Sequence, residues 1–100
     1  MPSPTLAGYQ RKHLRGLAHR LKPLVQVGEA GLSSAVVAAT DQALEDHELV
    51  KVRLNQPEDK RELAQQLAKR SRSVLCGLVG HTVILYRRHP ESPRIEVPRR

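Results

Sequence analysis

Val74 to Val79 is an almost unbroken apolar run of six residues. In a chain where 27% of residues are charged, such a run is stable only when both of its faces are covered. That is the pattern of a strand packed between two layers. The residues around it support this reading. Gly80–His81 supplies a turn, and Thr82 to Arg87 reads as a returning strand, so the two should pair antiparallel. Leu49 to Leu54 alternates, with Val50, Val52 and Leu54 on one face and Lys51 and Arg53 on the other, which predicts a half-buried strand. Leu24 to Val27 is a shorter apolar strand bounded by Pro23 and Gly28.

Three helices separate these strands. Residues 6–21 place Gln10, Leu14, Leu17, Ala18 and Leu21 on one stripe at three- and four-residue spacing. Gly8 and Gly16 weaken this helix by about 1 kcal/mol each relative to alanine, and Pro23 ends it. Residues 33–48 form a second helix with Ser33 as N-cap. Val36, Val37, Thr40, Ala43, Leu44 and His47 face inward, and Asp41, Glu45 and Glu48 face outward. Asn55–Gln56–Pro57 reads as a loop, and residues 58–70 as a third helix with Leu63, Ala64 and Leu67 inward. The expected order is therefore α-β-α-β-α-β-β. Helices between strands imply parallel neighbours and the last turn an antiparallel pair. The fold class is α/β (α+β): a mixed four-stranded sheet with packed helices. A chain of 100 residues supports one such domain, expected over 6–87. A short lead (1–5) precedes it, and a basic, proline-containing, extended tail (88–100) follows.

The net charge is +7, and it is segregated. Residues 1–27 carry five bases and no acid, residues 28–50 five acids and no Lys or Arg, and residues 51–87 eight bases against three acids. This arrangement predicts a basic face and an anionic partner, nucleic acid or a membrane surface. The membrane reading is weaker, because the basic helix lacks the Trp- or Phe-rich face of interfacial anchors. Only Tyr9 and Tyr86 are aromatic. Base stacking is nearly excluded, so nucleic acid would be held mainly by its backbone. The single cysteine, Cys76, allows no intrachain disulfide or cysteine zinc site, and a reducing cytoplasm is expected. No apolar run approaches about 18 residues, so no transmembrane helix is expected. The first nine residues lack the pattern of a secretory leader.

Gly28–Glu29–Ala30–Gly31 lies between a strand and a helix N-terminus. Two glycines three apart permit a tight turn and close ligand approach. The following helix directs free N–H groups and about half a positive charge toward the loop, which suits a phosphate. Many ordinary strand-to-helix turns share this pattern. The context of the first helix adds weight to the phosphate reading. Arg11, Lys12, Arg15 and His19 cover one arc away from the leucine stripe, and Lys22 continues it if the last turn holds. No acid accompanies them, so they suit a phosphate-tracking groove beside the loop. The second glycine pair, Gly77–Leu78–Val79–Gly80, precedes a strand and not a helix, and reads as packing and turn. No metal, cofactor or catalytic set is expected. His13 and His19 point about 120° apart, His47 reads as a core histidine, and His81 and His89 fall in a turn and the tail. Cys76, in an apolar strand, should be inert.

Four blocks carry a family resemblance: residues 10–19, 21–32, 42–52 and 79–87. They include Gln10–Arg11–Lys12–His13–Leu14–Arg15–Gly16–Leu17, Leu24–Val25–Gln26–Val27–Gly28–Glu29–Ala30–Gly31 and Gly80–His81–Thr82–Val83. Together they resemble the bacterial YhbY family, the stand-alone form of the CRM domain (chloroplast RNA splicing and ribosome maturation). The resemblance implies a fold similar to the C-terminal domain of bacterial translation initiation factor 3. It also implies RNA binding through the Gly28–Gly31 loop and neighbouring basic surface, and association with large ribosomal subunit precursors. Glu29 departs from the family, whose loops commonly carry a basic or small polar residue there. The leading expectation is a monomeric, non-enzymatic protein that binds ribosomal RNA as an assembly factor. The alternatives are a module docking on ribosomal or translation proteins through its acidic helix, and an enzyme acting on RNA.

Overall fold

A computed structural model describes residues 6–55 and 59–98. The expected lead 1–5, the residues Gln56 and Pro57 of the expected loop, residue 58 of the expected third helix and residues 99–100 of the expected tail lie outside them. The elements are α1 (Gly8–Ala18), β1 (Val25–Val27), α2 (Ser34–His47), β2 (Leu49–Leu54), α3 (Lys60–Arg70), β3 (Val74–Val79) and β4 (Thr82–Tyr86). The sheet order is β1-β2-β4-β3. β1 and β2 pair parallel across the α2 connection, as expected. β4, however, inserts between β2 and β3 and runs antiparallel to both. The strands joined through α3 are therefore not neighbours.

Apolar clusters form on both faces of the sheet. On one face Val25, Val27, Val50, Val52, Leu54, Val83 and Leu85 pack with Leu44 of α2 and with Ala64, Leu67 and Ala68 of α3. On the other face Leu49, Val74, Cys76, Ile84 and Tyr86 pack with Leu14 and Ala18 of α1 and with Ile95 and Val97 from the C-terminal segment. The β2 alternation behaves as read: Val50, Val52 and Leu54 are 1%, 0% and 1% exposed. Strand β3 lies between α1 and α3, but the expected two-sided cover is only partial: at the sheet edge Val74 and Cys76 are buried, Leu75 and Leu78 are half-buried, and Val79 stands 64% exposed.

The first helix is shorter than its pattern. It starts after Ala7, whose N–H is accepted by the Gln10 side chain at 2.8 Å. Gln10 therefore closes the helix end, and does not join the apolar stripe. The helix stops at Ala18, and the chain tightens into three-residue bonds from Leu21 N–H to Ala18 and from His19 N–H to Gly16, as helix ends do when no further turn follows. Lys22 thus lies beyond the helix and does not extend its basic arc. Leu17 and Leu21 leave the predicted core and stand 45% and 41% exposed. At the end of α2, His47 is exposed and not buried, and lines an open groove with Leu21 and Leu24. Ser33 caps α2 as predicted, its Oγ accepting the Val36 N–H at 3.2 Å.

Glu48 reverses its expected place. It sits just past α2 at φ +63° and is 1% exposed, not on the solvated helix face. That backbone conformation is disfavoured by about 1 kcal/mol or more for a residue with a side chain. Its carboxylate accepts the N–H groups of His89 at 3.1 Å and Ile95 at 3.2 Å, and that of Arg94. Its own carbonyl accepts the Arg87 N–H at 2.8 Å. A buried acid thus fastens residues 89–95 to the junction of α2, β2 and β4. Gln10 adds a bond from its side-chain amide to the Pro98 carbonyl at 3.0 Å.

Strand β3 carries a bulge between Leu75 and Gly77. Arg15 closes over it, donating to the Cys76 carbonyl at 2.7 Å. A Cβ at Gly77 would meet the Arg15 Cδ at 2.5 Å, so the glycine makes room for the arginine stem. Gly80 takes φ +59° in the β3–β4 turn. The second glycine pair is therefore packing and turn, as read.

Two expectations follow. Gly77→Val should cost about 1–3 kcal/mol by overpacking, and the cost should shrink in an Arg15→Ala background. A double-mutant cycle by chemical denaturation measures the coupling, and additivity would refute the contact. Glu48→Ala should destabilise by about 2 kcal/mol through orphaned backbone donors. Hydrogen exchange should then accelerate at the amides of His89, Arg94 and Ile95, while α3 stays protected until global unfolding.

Candidate nucleic-acid interface

The Gly28–Gly31 loop follows the edge strand β1 and leads into α2. Gly31 N–H bonds back to the Gly28 carbonyl at 3.0 Å, and Ser33 N–H to the Gly31 carbonyl at 2.9 Å. Gly31 has φ +71°, a left-handed value that glycine adopts without a steric penalty. The loop is pinned from behind by α3, where Arg70 donates to the Leu32 carbonyl at 2.8 Å. Gly28, Glu29 and Ala30 are exposed, and a Cβ at Gly28 would meet nothing within 4 Å. Open backbone therefore faces solvent at the N-terminal end of a helix with no acid in its first turn. The Glu29 carboxylate at the tip opposes an anion there.

The basic residues of α1 do not gather around this loop as one arc. Arg11 is half-buried and donates to the Leu6 carbonyl at 2.6 Å. Arg15 lies over β3, at the sheet edge opposite β1. Each guanidinium has five N–H donors, so one carbonyl does not exhaust it. Lys12 and His19 are exposed, and Lys22 stands in the connection to β1 beside Leu21 and Leu24.

Two further residues stand along the strands that lead to the loop, Arg53 near it and Lys51 at the far end, where its carbonyl accepts the Leu24 N–H at 3.0 Å. Lys51 and Arg53 alternate onto the face that carries α1. Arg53 is exposed and pairs in register with Gln26 of β1, two residues before Gly28. Lys51 donates to the His19 carbonyl at 3.3 Å, joining this strip to the end of α1. His19, Lys51, Arg53, Gln26 and the loop thus form a continuous polar strip along β1 and β2. The alternation in 49–54 already put Lys51 and Arg53 outward. Only the pairing of β2 with β1 showed what they stand beside.

The chain matches the family model described as CRS1 / YhbY (CRM) domain over residues 6–87. It is 41% identical over 95 residues to a Bacillus subtilis protein named "Probable RNA-binding protein YqeI", covering 93% of this chain and 99% of that one. It is 35% identical over 98 residues to a Haemophilus influenzae protein named "RNA-binding protein", covering 96% and 98%. The solution structure of SAV1595 from Staphylococcus aureus superposes with a TM-score of 0.83 at 38% identity, covering 94% of this chain and all of that one.

Reactive chemistry is sparse. Among the described residues no group of three His, Cys, Asp or Glu side chains could hold a metal ion, and no helix is long and apolar enough to cross a membrane. Burial pushes the Cys76 thiol up to about 11, against the lowering influence of Arg15 and Arg11. Burial, reinforced by Glu48, also raises the Tyr86 hydroxyl. A thiol held protonated is a poor nucleophile.

The thiol makes a measurable contribution to stability at high pH. The unfolded thiol ionises near 9.0 and the native one near 11, so between these values only the unfolded chain loses the proton. Stability should therefore fall as pH rises from 9 to 11, by about 1.4 kcal/mol per unit. Urea melts of wild type and Cys76→Ala across that range should show the steeper loss in wild type, and parallel slopes would contradict it.

Proposed function

The chain belongs to the CRS1/YhbY (CRM) domain family, and from that premise we propose that it is a non-enzymatic RNA-binding protein. The observation that carries this reading is the polar strip of Lys51, Arg53 and Gln26 leading into the exposed Gly28–Gly31 loop. Phosphates lie against the loop backbone and the first turn of α2, and Lys51 and Arg53 neutralise the neighbouring ones. Lys12, His19 and the remaining donors of Arg11 and Arg15 extend the contact across α1. This is recognition of backbone and shape, as a chain with two aromatic residues requires.

The RNA we assign is ribosomal RNA of large-subunit precursors, where the protein acts in the cytoplasm as an assembly factor. The family resemblance of residues 6–87 and the sequence-tolerant mode of contact support this. A monomer suits the net charge of +7, which sets copies against each other. Docking through the acidic helix has less support, because Asp41 is already held by Arg87 at 2.6 Å.

Binding to structured large-subunit RNA, titrated with salt, tests the interface. Lys51→Ala with Arg53→Ala should lower the log–log salt slope by about two units, one per lost phosphate contact, and weaken all sequences similarly. An unchanged slope would remove this strip from the interface. Crosslinking in cells should place reads on large-subunit precursor RNA. A spread over messenger RNA would overturn the ribosomal assignment while leaving RNA binding intact.

A further inference from the structure

Leu17, Leu21 and Leu24 are 45%, 41% and 54% exposed, and all three line a single groove of about 400 Å³. Leu49, Val50 and Ile95 also line it, and Lys22 and His47 supply its polar groups. Single exposed leucines are ordinary, but three converging on a concave surface mark an interaction site. The groove opens where β1 begins, whereas the Gly28–Gly31 loop lies where β1 ends.

The chemistry of the walls selects the occupant. Aliphatic side chains offer RNA neither a ring to stack on nor donors for its phosphates, which would have to shed water to enter. A second copy of this chain would bring Lys22 against Lys22, between molecules that each carry +7. Among the described residues no carboxylate lines the groove. The Glu48 carboxylate, between the lining residues His47 and Leu49 in sequence, is turned toward the backbone amides of His89, Arg94 and Ile95. We propose that this groove docks an acidic amphipathic segment of a partner protein, with apolar residues on Leu17, Leu21 and Leu24 and a carboxylate at Lys22.

The full chain, isotopically labelled for NMR, is titrated with a synthetic amphipathic peptide whose leucine face is flanked by glutamates. A matched peptide carries lysines in their place. The glutamate peptide should shift the amides of Leu17, Leu21, Leu24 and Leu49, and the lysine peptide should bind about tenfold weaker. Lys22→Glu should abolish that preference. Leu17→Gln with Leu24→Gln should remove binding while melting temperature and RNA affinity stay unchanged. Absence of shifts, or equal affinity for both peptides, would overturn the proposal. So would a dimer in sedimentation that Leu24→Gln breaks, which assigns the groove to a second copy, or loss of RNA affinity in the leucine variants, which assigns it to RNA.

Discussion

The pairing of β2 with β4 is the contact on which both halves of the molecule rest. Val50 faces Leu85 and Val52 faces Val83, and these four side chains form the floor on which α2 and α3 pack. On the reverse side Leu49 faces Tyr86, and both belong to the core beneath α1 and the C-terminal segment. One antiparallel ladder therefore supplies residues to two apolar clusters. In this pair β4 is buried on both faces from Val83 to Tyr86, whereas β2 is buried on the α2–α3 side and open at Lys51 and Arg53 on the other, so the helices on either side depend on this pair more than on each other.

Charge serves structure and surface together here. Arg11 and Arg15 lie on a basic helix, yet both reach main-chain carbonyls of their own fold. The Arg15 stem fills the space left by Gly77 and its head covers the bulge at Cys76. Long basic side chains commonly bury their stems while the head stays near water. Glu48 is the converse case, a carboxylate withdrawn from solvent and satisfied by backbone amides. With so few aromatic residues, the chain uses such polar ties to seat its termini. The cost of burying the Glu48 carboxylate is offset because three backbone donors converge on it, while each arginine keeps its remaining donors near water.

Much of the site was legible beforehand and much was not. The Gly28–Gly31 loop and the Ser33 cap are local patterns, governed by residues within one turn of each other, and both formed where their chemistry indicated. The basic arc of α1 was legible as a pattern but not in its destination. Helical periodicity gives the angle between side chains, not which strand lies beneath them. The end of α1 was misjudged for a related reason. The leucine stripe continues to Leu21, but α1 ends at Ala18 and leaves Leu21 on the wall of an open groove beside Leu49 and Val50. His47 and Glu48 exchanged their expected environments because the helix ends between them, and a left-handed residue redirects the chain.

The sequence by itself determined the elements, their order and the segregated charge. Each follows from short-range periodicity, turn chemistry and the solubility of individual segments. Only the tertiary structure decided that β4 lies between β2 and β3. Only it set Arg53 beside the strand that enters the loop and turned Glu48 inward onto the C-terminal segment. It also gathered three leucines into one open groove. These arrangements depend on contacts between residues tens of positions apart. Packing selects them by burying the two apolar clusters while every buried side-chain polar atom of the described residues finds a partner, and no local pattern encodes that choice.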